Sequence, residues 1–170
     1  YTLWVALDLI YPDKKEVNLT LKKYARIGIV FLVIQIIYGG FVAGLNAGLV
    51  HNHWPLMSDG QFFHESILLE KDSWLLRFTE GKSGVQFVHR TMAYVVVGLI
   101  VFLYFQSKKF TLSSQQKNGL NLLVFIVFLQ FTLGVFTLLF GVPMWLGLTH
   151  QIMAFILLAT MTYTLHRLSK

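Results

Sequence analysis

The chain has 170 residues, of which 55% are hydrophobic and 13% charged, with a net charge of +6 from 14 Lys and Arg against 8 Asp and Glu. A soluble domain carries about 25% charged residues, so this composition, with a mean hydropathy of +0.61, excludes an ordinary soluble fold. The absence of cysteine excludes disulfides, thiolate nucleophiles and Cys-ligated metals.

In chain order, the opening YTLWVALDLI is apolar but too short to span a bilayer. It starts at Tyr1 and has no basic-then-apolar leader. Residues 1–10 therefore read as the tail of a preceding transmembrane helix, and the chain as a fragment. Residues 11–26 read as a basic inner loop. No Asp, Glu, Lys or Arg occurs from Ile27 to Ser58, or from Asn118 to Leu165. A hydrocarbon core about 30 Å thick needs roughly 20 apolar residues as helix, and spans are expected at about 27–50, 85–105, 118–140 and 144–165. Gly141-Val142-Pro143 forms the turn between the last two. Backbone groups in lipid are satisfied only in helices or closed barrels, and unbroken apolar runs exclude barrel strands. The expected fold class is all-α, an integral membrane four-helix bundle.

Charge placement argues against nucleic acid. Lys14, Lys15, Lys22, Lys23, Arg26, Lys108, Lys109, Lys117, Arg167 and Lys170 fall at alternate ends of the spans. Lys71, Arg77, Lys82 and Arg90 at the other ends are offset by Asp59, Glu65, Glu70, Asp72 and Glu80. The positive-inside rule puts the first set on the cytoplasmic or matrix side and residues 51–84 outside. Within that outer loop Ile67, Leu68, Trp74, Leu75 and Phe78 recur near helical spacing, which suits a helix lying in the interface plane. The rival is a loop packed on the bundle top. In the first span Gly40, Gly44 and Gly48 form a small-residue stripe. Such a stripe serves close helix packing or leaves room for something flat and wide.

The chain is internally repeated. Val88-His89-Arg90-Thr91-Met92-Ala93-Tyr94 matches Thr149-His150-Gln151-Ile152-Met153-Ala154-Phe155, and Gln35 with Gly39 matches Gln130 with Gly134. Two duplicated helical hairpins packed face to face bring His89 and His150 to opposite walls. Both lie roughly 7–10 Å from their outer helix ends at 1.5 Å per residue. Opposed imidazoles at one depth suit a haem iron, a site that helical bundles build from facing helices. A structural histidine bonded to a carbonyl is the plain alternative, but ionisable residues inside spans are functional by default. Zinc would be short of ligands, since no Asp, Glu or Cys lies near. A haem is the expected cofactor, with His89 and His150 as axial ligands to its iron. Gln35 and Gly44 are placed with them as cofactor-binding residues. Arg90 either pairs with a haem propionate or snorkels to lipid phosphate. His51, His53 and His64 read as solvated loop histidines, with a His51–His53 metal pair as the rival. His166 reads as a surface or headgroup contact.

Gly39 to Gly48 (GGFVAGLNAG), Asn52-His53-Trp54-Pro55-Leu56-Met57, Gln86-Phe87-Val88-His89-Arg90 with Ala93-Tyr94, and Trp145-Leu146 through His150-Gln151 together resemble the haem A synthase family. The resemblance covers most of the chain from about Gln35 to Phe155 and implies the C-terminal four-helix half of an eight-helix protein. It implies oxidation of the methyl group of haem O to the formyl group of haem A, for cytochrome c oxidase assembly. Haem b between His89 and His150 would serve electron transfer. Substrate haem O would belong to the other half of the full-length enzyme, so no catalytic residue is assigned here. His53 stands where Thr is more usual, and the chain lacks the outer cysteine pair of some relatives. The implied partners are haem O, the lipid bilayer, haem O synthase or oxidase assembly factors, and a second copy of the chain. The implied location is the bacterial cytoplasmic membrane, or the mitochondrial inner membrane in a eukaryote. The rival readings are a stand-alone bis-His membrane cytochrome carrying electrons to a quinone, and a non-catalytic scaffold with structural histidines.

Overall fold

A computed structural model describes residues 1–12, 17–58 and 60–169. Lys14, Lys15, Lys170 and Asp59, used above for topology, lie outside the described residues. Among the described residues seven α-helices follow in order: α1 (Thr2–Ile10), α2 (Leu19–Gly44), α3 (Ser66–Leu69), α4 (Trp74–Thr79), α5 (Lys82–Ser107), α6 (Ser114–Leu139) and α7 (Met144–Leu168). No strand occurs among the described residues. Helices α2, α5, α6 and α7 are long and apolar enough to cross a membrane. They present bulky apolar residues such as Ile37, Phe125 and Phe155 outward, as a bundle immersed in lipid does. The chain is an integral membrane protein.

Helix α2 packs on α5 and α6 on α7, and the two hairpins close through α2–α7 and α5–α6. Helices α5 and α7 therefore stand diagonally across the bundle. At the basic end, where α2 and α6 begin and α5 and α7 finish, the interior is filled. Leu21, Ala25, Ile100, Leu103, Leu120, Leu123 and Met161 form one buried cluster there. A Cβ on Gly28 would lie 2.8 Å from Met161 Cε, and one on Gly119 would lie 3.2 Å from the Tyr163 ring. The helices thus touch where glycine lets them. Thr164 Oγ1 donates to Gly119 O across α6 and α7 (3.1 Å), and Gln116 Nε2 donates to Arg167 O (2.9 Å).

Three sequence expectations are corrected. The first long helix runs from Leu19 to Gly44, where residues 27–50 were expected. Asn18 caps its start by accepting from Leu21 N at 2.9 Å, which draws Lys22, Lys23 and Arg26 into the helix. Its end is set by Asn46 at φ 52, a left-handed residue that Asn tolerates, followed by a 3-10 turn over Ala47–Leu49. Gly48 therefore leaves the stripe of Gly40 and Gly44. The outer helix is two short pieces, α3 and α4, because the Glu70–Ser73 segment breaks the ladder and Arg77 Nε donates back to Lys71 O at 2.6 Å. The exposed side chains of Leu69 and Trp74 border that break.

His166 is also not at the surface. It is fully buried, with Nε2 2.9 Å from Asp8 Oδ1 and the Trp4 ring edge-on at 5.0 Å, because α1 packs on the end of α7.

Candidate functional site

Away from the basic end the hairpins part around a cavity of about 500 Å³, within the range of small-molecule and cofactor sites. His89 and His150 both line it. They stand seven residues into α5 and six into α7, each about 10 Å from its helix start.

Each imidazole has the same seat. His89 Nε2 lies 3.4 Å from Gln35 Nε2 on α2, and His150 Nε2 lies 3.4 Å from Gln130 Nε2 on α6. Behind His89 is Gly39, where a Cβ would come within 3.2 Å of Cε1; behind His150 is Gly134, where it would come within 2.9 Å. The rings lie against helix backbone that any larger residue would push away. Both Nδ1 atoms are buried and unpartnered, as are Gln35 Oε1 and Gln130 Oε1. Buried polar atoms are normally satisfied. Four orphans in two matched pairs around one cavity therefore point to an occupant that the protein atoms alone do not supply.

Arg90 is the one charged residue among the described residues lining the cavity. One terminal nitrogen, Nη2, donates to the carbonyls of His53 (2.8 Å), Pro55 (3.1 Å) and Leu56 (2.9 Å). The other, Nη1, is buried without a partner. The guanidinium is held under the outer loop and does not reach out to lipid. Gln86, one turn before Arg90, donates Nε2 to His51 O at 3.1 Å and leaves Oε1 buried without a partner. That loop sits at the mouth: Trp54 lines the cavity, and Asn52 Nδ2 bridges Gly48 O and Leu138 O, each at 2.8 Å. Across the mouth the turn of the second hairpin holds Gly141 at φ 70 and Val142 at φ 57. The left-handed conformation at the β-branched Val142 is costly. Packing offsets it: a Cβ on Gly48 would lie 2.9 Å from Val142 Cγ2, so glycine there admits the valine side chain.

Of the residues singled out from sequence, His89, His150, Arg90 and Gln35 meet in this cavity, whereas Gly44 is exposed at the end of α2 and does not line it. Gly39, Gly134 and Gln130 take the place given to Gly44. The signal for them was in the sequence, as the Gln-x-x-x-Gly spacing shared by the two repeats. His51 and His64 depart from the solvated reading. His51 is buried, with Nε2 2.9 Å from Ser83 Oγ, and its ring lies 4.5 Å from that of His64. Ser83 Oγ donates to Glu70 Oε1 at 2.6 Å and accepts from Ser66 Oγ at 2.9 Å, and His64 Nδ1 lies 2.8 Å from Ser66 Oγ. Burial pushes the His51 pKa below its ordinary 6.5; His64, Arg90 and His53 push the same way and Glu70 opposes them. His53 stays exposed. No group of three or more metal-ligating side chains occurs among the described residues.

The sequence profile of a family described as "Cytochrome oxidase assembly protein" matches residues 1–162. A protein named "Heme A synthase" from Flavobacterium psychrophilum is 76% identical over 170 residues, covering 100% of this chain and 50% of its own length. A second, from Flavobacterium johnsoniae, is 67% identical over 172 residues, covering 100% and 50%. A third, from Wolbachia pipientis, is 38% identical over 157 residues, covering 92% and 42%. The chain spans about half the length of the curated relatives it matches. No solved structure matches it.

Proposed function

The chain belongs to the cytochrome oxidase assembly protein family, and on that premise we propose that it is the C-terminal, haem b-binding half of a haem A synthase. The whole protein would oxidise the methyl group of haem O to the formyl group of haem A for cytochrome c oxidase assembly. The single observation that carries this reading is the matched pair of imidazole seats on diagonal helices, opening into one cavity.

The residues fit a haem that two imidazoles would hold. The cavity is large enough for a cofactor and mainly apolar, its imidazoles carry unpartnered nitrogens, and glycines leave the rings space that side chains would take. Bound haem would supply one-electron chemistry at its iron. His89 and His150 would hold that iron. Gln35 and Gln130 would orient the rings through their side-chain amides, since groups beyond the ligands fix imidazole orientation. Arg90 would offer its free Nη1 to a carboxylate, a charge-assisted pair strengthened by burial. Apolar walls and the Trp54 loop would keep water from the site. Haem O would be handled by the remainder of the full-length protein, and this half would relay electrons.

The test is haem-replete expression of the chain followed by optical spectroscopy. A low-spin spectrum with haem near one per chain is expected, and His89→Ala or His150→Ala should abolish it. Colourless wild-type protein, or both variants keeping an unchanged spectrum, would overturn the reading.

A further inference from the structure

A second cavity, of about 360 Å³, lies at the basic end between the last turn of α5 and the first turns of α6. Lys108 and Lys117 line it from either side of the α5–α6 loop, with Tyr104 and Asn121 beside them and Phe110 and Leu112 adding apolar surface. The Lys108 ammonium sits 4.2 Å from the Tyr104 ring centre, a contact that steadies the cation without neutralising it. Neither lysine forms an ion pair among the described residues, and the chain has no acidic residue after Glu80. A concave site with two cations, polar side chains and an apolar wall, at the level where spanning helices leave the hydrocarbon, matches one kind of ligand well. That ligand has an anionic phosphodiester at one end and hydrocarbon at the other.

We propose that this cavity is a binding site for the headgroup of an anionic phospholipid. Lys108 and Lys117 hold the phosphodiester, Asn121 and the Tyr104 hydroxyl meet glycerol oxygens, and Phe110 and Leu112 cover the start of an acyl chain. Basic pockets between spanning helices recognise lipid headgroups in this manner. A free phosphate would use the lysines but gain nothing from the apolar wall.

The experiment titrates fluorescent phosphatidylglycerol, and separately phosphatidylcholine, into the detergent-purified chain, with native mass spectrometry counting retained lipid. One phosphatidylglycerol is expected to be retained in preference to phosphatidylcholine. Lys108→Gln and Lys117→Gln should each weaken it roughly fivefold, and the double variant roughly thirtyfold. The control is Lys22→Gln with Lys23→Gln, which removes equal charge from the same end of the bundle but outside this cavity; it should leave retention unchanged. Equal loss in the control pair would reduce the effect to general surface charge and overturn the site. So would unchanged retention in the double variant. Inorganic phosphate that displaces the lipid at comparable concentration would make the ligand a free anion and overturn the lipid assignment.

Discussion

The two hairpins offer the same seat to an imidazole and differ in almost everything around it. Gln35, Gly39 and His89 repeat as Gln130, Gly134 and His150, with identical 3.4 Å side-chain separations. Yet the first hairpin closes through residues 45–81, with two short helices and a buried polar network, and the second through residues 140–143. The seat is therefore a property of a two-helix unit, set by a four-residue spacing on one helix and a histidine on its partner. The mouth is a property of one copy only. Arg90, whose repeat counterpart is Gln151, supplies the sole charge lining the cavity among the described residues, so any anionic end of an occupant would be drawn toward the first hairpin.

The largest expected effect tests the equivalence of the seats. His89→Ala and His150→Ala should each remove bound low-spin haem completely, measured as the haem-to-chain ratio and the optical spectrum of purified protein. Retention by one variant alone would break the equivalence. Next come the glycines behind the rings. Gly134→Ala places a Cβ 2.9 Å from His150 Cε1, a distance that forces a shift, whereas Gly39→Ala places it 3.2 Å from His89 Cε1, where a small movement suffices. Overpacking of a tight site costs about 1–3 kcal/mol. Haem affinity should accordingly fall by roughly tenfold or more in Gly134→Ala, and less in Gly39→Ala. Gly44→Ala, outside the cavity lining and with nothing within 4 Å of the added carbon, should titrate with haem like the parent chain.

Ser83→Ala addresses the asymmetric mouth. Ser83 is the node through which His51, Ser66 and Glu70 are joined, and its backbone N–H also donates to Glu70. Removing the hydroxyl strands buried polar partners, at about 1–3 kcal/mol. The expected outcome is a lower melting temperature in detergent with the haem spectrum intact, because the seats themselves are untouched. Loss of haem in step with stability would show that the mouth and the seats are one cooperative unit.

Four spanning helices, the short turn at Gly141 and the pair of histidines were legible because each follows from local pattern: apolar length, turn chemistry and internal repetition. The residues misjudged were those whose environment depends on a distant segment. His166 carried no local sign that α1 would cover it with Asp8 and Trp4. His51 looked like a loop residue because the partners that bury it, Ser66, Glu70 and Ser83, come 15 to 32 positions later. Gly44 drew notice through the regular spacing of Gly40, Gly44 and Gly48, but Asn46 ends the helix before the stripe is complete. Gly39, which does touch an imidazole, was visible only by setting one repeat beside the other.

The smallest effect is the pH dependence of the mouth. Ser83 gives its hydroxyl proton to Glu70, so His51 Nε2 must carry the hydrogen it donates to Ser83 Oγ. Burial, His64, Arg90 and His53 disfavour the imidazolium, and Glu70 only partly opposes them, so the folded pKa lies below 6.5. An unfolded chain takes up a proton near pH 6.5 that folded His51 refuses until the pH is lower. Stability supplied by neutral His51 is therefore fully present above pH 6.5 and is lost progressively as the pH falls from there toward the folded value. Melting temperatures between pH 7.5 and 5.5 should decline in the parent chain and decline less in His51→Gln, where an amide can still donate to Ser83. The second hairpin has no titratable group in residues 140–143. An equal decline in both proteins would show that His51 is not its source.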